Sequence, residues 1–115
     1  MNRNSTRYFS NKQEKKVAKR IGGRQTVNSG ATLFSKGDIR TEYFLIECKT
    51  KITESESMTI HREWIDKNEE EAFAMSKPYS AIAIDFGSGK NYYIISEKLF
   101  KKLIDFIQEE EHGEA

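Results

Sequence analysis

Four residues in the first half of the chain have side chains suited to concerted acid, base or metal chemistry: Glu14, Asp38, Glu47 and Lys49. Glu47-x-Lys49 ends the run Tyr43-Phe44-Leu45-Ile46-Glu47-Cys48-Lys49, which reads as a strand. Residues two apart on a strand point to one face, so a carboxylate and an ammonium emerge together. By itself that pattern equally describes a strand running out into solvent with an exposed ion pair. Asp38 follows Gly37, nine residues before Glu47. If residues 38–40 form a strand and the chain reverses at 41–43, Asp38 falls opposite residues 46–47. The plainer alternative is that Gly37-Asp38 is a turn. Glu14, Val17, Ala18 and Ile21 have helical spacing, which sets Glu14 on or beside an apolar stripe. A buried carboxylate costs several kcal/mol unless it is paired, hydrogen-bonded or bound to a metal. Its ordinary alternative is a place at the stripe's edge, near the positive helix N-terminus.

Two carboxylates about one ligand span apart suit Mg²⁺, a hard cation that takes oxygen donors and keeps several waters. A lysine beside them can orient or deprotonate a water, and a cation neutralises charge on a phosphodiester as it is attacked. Glu14, from a helix packed on the sheet, could hold a metal-bound water or a second ion. The charge distribution agrees with a polyanionic substrate. The chain of 115 residues has a formal net charge of only +1, but residues 1–51 hold 12 Lys+Arg against 4 Asp+Glu, and residues 52–115 hold 7 against 14. All four candidate residues lie in the basic half. A phosphate backbone would be drawn there, and the acidic half is expected to face away from it.

The elements that must position these residues can be read from periodicity and punctuation. Residues 1–9 form a basic arm with Arg3 and Arg7, and 112–115 a short tail; a single domain spans 10–111. Ser10-x-x-Gln13 reads as a capping box opening a helix that Gly22-Gly23 stops. Short strands are expected at 24–27 and around Asp38–Arg40, joined across the turn signal Asn28-Ser29-Gly30. The strand from Tyr43 is apolar on both faces, as a central strand covered on both sides would be. A helix from Thr59 to about Met75 carries the stripe Ile60, Trp64, Asn68 and Ala72. Ala81–Phe86 and Tyr92–Ile95 read as a hairpin. Ser96 caps a last helix with an apolar face of Leu99, Phe100, Leu103, Phe106 and Ile107, fraying from Glu109. The fold class is α/β, a small mixed sheet flanked by helices.

Taken in order, Glu14, Ser29-Gly30, Gly37-Asp38 and Glu47-Cys48-Lys49 resemble the PD-(D/E)xK nuclease superfamily. Within it the chain resembles the small Holliday junction resolvases of the archaeal Hjc type and their phage-encoded relatives. The similarity covers about residues 10–86. Its pieces are Lys12-Gln13-Glu14-Lys15, Arg24, Asn28-Ser29-Gly30-Ala31, Lys36-Gly37-Asp38-Ile39 and Leu45-Ile46-Glu47-Cys48-Lys49-Thr50. Gly37 stands where the superfamily name has Pro. The resemblance implies a restriction-endonuclease-like αβββαβ core followed by a C-terminal hairpin strand and helix. It implies that Asp38 and Glu47 hold Mg²⁺, with Mn²⁺ as a substitute and the Cys48 backbone carbonyl as a further ligand. Lys49 would position or activate the attacking water, and Glu14 would complete the site. Arg24, Ser29 and Gly30 would meet the DNA backbone, with Lys12, Lys15, Lys36, Arg40, Arg3 and Arg7 as further contacts. The implied activity is that of a crossover junction endonuclease of DNA recombination and repair. As a homodimer it would hydrolyse opposed strands of a four-way junction symmetrically, giving 5′-phosphate and 3′-hydroxyl ends. The alternatives are a nuclease of the same superfamily acting on other branched, nicked or linear DNA, and a catalytically silent DNA-binding module of the same fold.

Several classes are disfavoured. No apolar run is long enough to span a membrane, and the polar N-terminus lacks the apolar centre of a signal peptide. One cysteine, Cys48, makes neither an intrachain disulfide nor a multi-cysteine zinc site. It points away from Glu47 and Lys49 and reads as a packing thiol. A cytoplasmic protein is expected, in host cytoplasm if phage-encoded. Gly87-Ser88-Gly89-Lys90 lacks the Walker spacing and reads as a hairpin turn, so no nucleotide cofactor is expected. His61 and His112 stand alone. Trp64, Phe73, Phe100 and Phe106 are read first as core and second as a dimer surface.

Overall fold

The computed structural model describes residues 6–26 and 38–113, with side chains from Tyr8 in the first segment and from Ile39 in the second. Elements follow in the order α1 (Thr6–Ile21), β1 (Arg24–Gln25), β2 (Asp38–Arg40), β3 (Phe44–Thr50), α2 (Arg62–Ala74), β4 (Tyr79–Asp85), β5 (Asn91–Ile94) and α3 (Glu97–Gly113). The described strands form one five-stranded sheet in the order β1-β2-β3-β4-β5. Only the β3–β4 pair is parallel; the other three are antiparallel. Parallel neighbours need a long crossover, and α2 supplies it. The architecture is α/β, a mixed sheet flanked by helices.

The alternating faces of β3 set the layers. Ile46 and Cys48 turn toward α1, where Val17, Ile39, Ile46, Ala81 and Ala83 make a buried cluster that Cys48 packs against. Leu45, Glu47 and Lys49 turn to the other face, where α2 packs on β3 and β4. Both faces of the central strand are therefore covered, as its apolar run predicts.

Two buried amides tie the helices to the β3–β4 pair from opposite sides. Gln13 Nε2 on α1 donates to the Lys49 carbonyl (2.9 Å), the Ala83 carbonyl (3.2 Å) and Asn91 Oδ1 (2.9 Å). Asn68 Nδ2 on α2 donates to the Ala81 carbonyl at 3.0 Å and reaches the Leu45 carbonyl at 3.4 Å. Each amide thus bridges one carbonyl of β3 and one of β4. The Ser10-x-x-Gln13 capping box is corrected by this arrangement. α1 starts at Thr6, so residues 6–9 are helix rather than arm, and Ser10 lies inside it. Gln13 is almost fully buried, its amide committed to the sheet instead of to a helix end.

Other boundaries follow their local chemistry. Gly22, at φ 79°, ends α1; the amides of Gly22 and Gly23 both donate to the Ala18 carbonyl. Gly87-Ser88-Gly89-Lys90 is a hairpin turn. Asp85 Oδ1 accepts the Gly87 and Gly89 amides at 2.7 and 3.1 Å, and Gly87 sits at φ 101° against the Glu54 backbone. Ser96 Oγ accepts the Leu99 amide and caps α3. Contrary to the expected fraying from Glu109, α3 continues to Gly113. Its apolar stripe does not pack as core: Leu99 is buried, but Phe100, Leu103, Phe106 and Ile107 are exposed. Phe73 is also exposed, so of the four large aromatics read first as core only Trp64 is partly buried.

Gln13→Ala should lower the unfolding free energy by about 2–3 kcal/mol, because buried carbonyls of β3 and β4 lose their donor. Ser10→Ala should stay within about 0.5 kcal/mol. Urea unfolding of the two variants checks this; equal losses would restore the capping-box reading.

Candidate active site

The β2–β3 hairpin sets the site by register. Asp38 lies opposite Glu47, Ile39 opposite Ile46 and Arg40 opposite Leu45, as counting around residues 41–43 predicts. Thr41 holds the reversal: its amide donates to the Phe44 carbonyl at 3.0 Å, and its Oγ1 accepts the Phe44 amide at 3.0 Å. Directly opposed residues of an antiparallel pair share a face. Position 38 therefore stands beside position 47 on the face that also carries Lys49.

Glu47 and Lys49 meet there, with Nζ 3.5 Å from Oε1. Lys49 Nζ also lies 4.7 Å from the centre of the Trp64 ring on α2, a cation–π contact. His61 packs edge-on against that indole, ring centres 5.0 Å apart. The lysine is thus held between a carboxylate and an aromatic face. Burial pushes the Glu47 carboxyl above its ordinary value, Lys49 pulls it down by a smaller amount, and Glu71 adds to the rise. Nothing in the residue spacing marks the Trp64 contact. Trp64 was legible as part of the α2 stripe, but its partner depends on how α2 docks.

Beside this cluster opens a cleft of about 650 Å³ lined by Glu47, Lys49, Trp64 and Lys67, with Glu63, Asp66 and Glu70 of α2. The acidic half of the chain supplies a wall of this cleft, because α2 belongs to it. On the other side the face is basic. Arg24 of β1 is opposite Arg40 of β2, both exposed, on the same face as Glu47. Like charges placed directly opposite repel, and an anion between them relieves that cost.

The remaining expected residues are distributed differently. Glu14 is buried on α1, where Gln25 Nε2 donates to its carboxylate at 3.3 Å. It sits in the third turn of α1, away from the helix N-terminus, and on the α1 side of the sheet. Glu47 and Lys49 project from the α2 side, so the structure does not draw Glu14 into their cluster. Lys12 and Lys15 are exposed on α1, also on that other side. Lys12 lines a smaller cleft there with Phe9, Lys16, Thr50, Lys51 and Asp85. Cys48 belongs to the β3–β4 ladder, its thiol turned to the core. Arg3, Ser29, Gly30 and Lys36, and the side chains of Arg7 and Asp38, lie outside the described residues. Among the described residues no three His, Cys, Asp or Glu side chains converge as a metal-binding group. No helix of the described residues is long and apolar enough to cross a membrane.

Comparison of the chain with protein-family models, with curated proteins and with solved structures finds no match.

A carboxyl whose folded-state pKa is raised keeps its proton longer in the native state than in the unfolded chain. Such a group subtracts stability as pH climbs above its ordinary value of 4.5. Glu47→Gln should therefore raise the melting temperature at neutral pH in chelator-containing buffer. The gain should vanish as pH falls below the unfolded-state value. Melting curves of both proteins across this range test it; a neutral-pH loss would show that the Lys49 attraction outweighs burial.

Proposed function

We propose that the chain is a Mg²⁺-dependent endodeoxyribonuclease that resolves four-way DNA junctions, leaving 5′-phosphate and 3′-hydroxyl ends. One observation carries the reading: Asp38 opposes Glu47 in register, with the Lys49 ammonium 3.5 Å from the Glu47 carboxylate on that same face. Partial burial makes the Glu47 carboxylate a costly charge, and a divalent cation is one partner that offsets such a cost. The donor set suits a hard cation. Asp38 and Glu47 would hold it, with the Cys48 carbonyl as a further ligand and Mn²⁺ as a substitute. Bound there, the cation would neutralise charge on the scissile phosphodiester.

The chain's own residues divide the remaining work. Lys49, fixed by Glu47 and Trp64, orients the attacking water toward phosphorus through its Nζ. Arg24 and Arg40 bind flanking phosphates from the open side of the sheet, each presenting a planar fork suited to phosphate oxygens. The acidic wall of α2 bars the backbone from the far side of the cleft. Junction selectivity and paired cutting by a homodimer rest on the resemblance to the resolvases.

The test is cleavage of a synthetic four-way junction with Mg²⁺, against linear duplex. Asp38→Asn and Lys49→Ala should each lose about 10²–10³-fold in cleavage rate, the usual cost of removing one transition-state contact, while junction binding stays within a few-fold. Arg24→Ala should weaken binding across sequences and reduce the salt slope by about one. Equal cutting of duplex and junction would leave a nuclease but not a resolvase. Tight binding without cleavage in Mg²⁺ or Mn²⁺ would leave a DNA-binding module. Full activity of Asp38→Asn would overturn the metal assignment.

A further inference from the structure

α2 has two flanks, and the nuclease reading uses one of them. Trp64 and Lys67 face the cleft beside Glu47 and Lys49. The other flank, with Ile65, Asn68 and Glu69, faces a second opening over the β4–β5 pair, where α3 begins. That opening has two contiguous chambers. The inner one, of about 140 Å³, is walled by Ile65, Ile82, Ile94 and Ile95. The outer one, of about 360 Å³, is lined by Tyr79, Lys98, Leu99 and Lys102. Glu69, Ser80 and Ser96 border both and form the throat between them. Strand register explains the apolar wall. Ile82 of β4 is opposite Glu47 of β3 and Ile94 of β5, so both isoleucines stand on the α2 face of the sheet.

One polar atom of the inner chamber is unsatisfied. Asn68, which lines it, is only 2% exposed. Its Nδ2 is committed to the Ala81 and Leu45 carbonyls, while its Oδ1, the other branch of the same planar amide, meets no donor among the described residues. Buried polar atoms nearly always find a partner, and an orphaned acceptor is costly to keep. A donor carried in by a ligand would satisfy it. The volume limits what can carry that donor, because an apolar cavity of ~150 Å³ takes a benzene-sized body. The mouth selects the other end of the ligand. Lys98 and Lys102 are exposed there, and Glu69 is the one acid of the lining. Lys102 is held in place: its Nζ donates to the Tyr79 hydroxyl at 2.7 Å and lies 5.1 Å from the centre of the Tyr79 ring. α3 starts at Glu97, so the positive end of its dipole adds to the same field.

We infer that the cleft between α2 and the start of α3 binds a small amphipathic carboxylate. Its ring-sized apolar body fills the inner chamber, a hydroxyl or N–H on that body donates to Asn68 Oδ1, and its carboxylate lies between Lys98 and Lys102. Apolar walls with a few convergent polar groups are the usual make-up of a small-molecule site. The inference stands apart from the nuclease reading, because it uses no residue of the Glu47–Lys49 site.

The test is an NMR titration of the isotope-labelled full chain with p-hydroxyphenylpropionate, a phenyl ring with a hydroxyl at one end and a carboxylate at the other. Saturable binding is expected, with Kd at or below about 1 mM and shifts centred on the Asn68 side-chain amide and the backbone amides of Ser80 and Lys98. Phenylpropionate, which lacks the hydroxyl, should bind about tenfold more weakly. Tyramine, which replaces the carboxylate by an ammonium, should not bind. Lys98→Gln with Lys102→Gln changes exposed positions only and should weaken p-hydroxyphenylpropionate several-fold. Ser80→Leu narrows the throat and should abolish binding with the circular dichroism spectrum unchanged. Equal affinity for the three probes, shifts confined to the exposed apolar stripe of α3, or no saturation by about 10 mM would overturn the inference. Junction cleavage is read separately, so an inactive protein that binds the probe would sink the nuclease proposal and leave this one standing.

Discussion

The parallel pairing of β3 with β4 is the constraint on which the rest of the structure depends. Side chains alternate strictly along a strand, so one residue of slip would exchange the two faces. Here slip would drive Glu47 and Lys49 into the cluster around Val17 and expel Ile46 into the cleft. Hydrophobic burial resists that exchange, and the two amides resist it more specifically. Gln13 and Asn68 reach the sheet from opposite faces, and each reads one carbonyl of β3 against one of β4. The same contact that fixes the register fixes the helices. α1 and α2 are positioned over the sheet by side chains whose polar ends would be costly to bury without those carbonyls.

Register then determines electrostatics. With β3 fixed, β2 follows through its short reversal, and β1 follows β2. Position 38 comes beside Glu47, and Arg24 beside Arg40. A carboxylate pressed above its ordinary proton affinity and a facing pair of arginines are both unfavourable for an isolated fold. Such local costs are typical of sites kept for function, where stability gives way to a task. Under the nuclease proposal, a cation beside Glu47 and an anion between the arginines would offset both costs at once. A metal-bound phosphodiester is one such combination.

Much of this was legible in the sequence because it is local or countable. The hairpin register around residues 41–43, the shared face of Glu47 and Lys49, the glycine stop of α1 and the serine cap of α3 follow from spacing alone. Burial of Glu14 decides between two readings that its place on or beside the stripe left open. What sequence could not supply depends on how elements dock. Ser10-x-x-Gln13 has the local form of a cap, but a tertiary partner for Gln13 overrides it. Trp64 is recognisably on the buried side of α2, yet its meeting with Lys49 depends on the rotation of that helix over β3. The stripe of α3 is plainly amphipathic, but periodicity does not tell whether the apolar side meets its own chain or another.

The division of charge shows the same limit and also what the fold makes of it. Two halves of a chain with opposite charge need not become two halves of a surface. The sheet interleaves them: β3, from the basic half, is covered by α2, from the acidic half, and Glu47 and Lys49 lie at the seam. Across that seam the potential changes sign over a short distance, from the arginines of β1 and β2 to Glu63, Asp66 and Glu70. Low-dielectric walls sharpen such a gradient. A uniformly basic groove would bind a phosphate backbone anywhere along its length. A groove basic on one side and acidic on the other admits the backbone from one side and stops it at the boundary, where Lys49 stands. Under the nuclease proposal the acids of α2 would act on placement rather than on affinity, so that a near-neutral chain could hold a polyanion in one orientation.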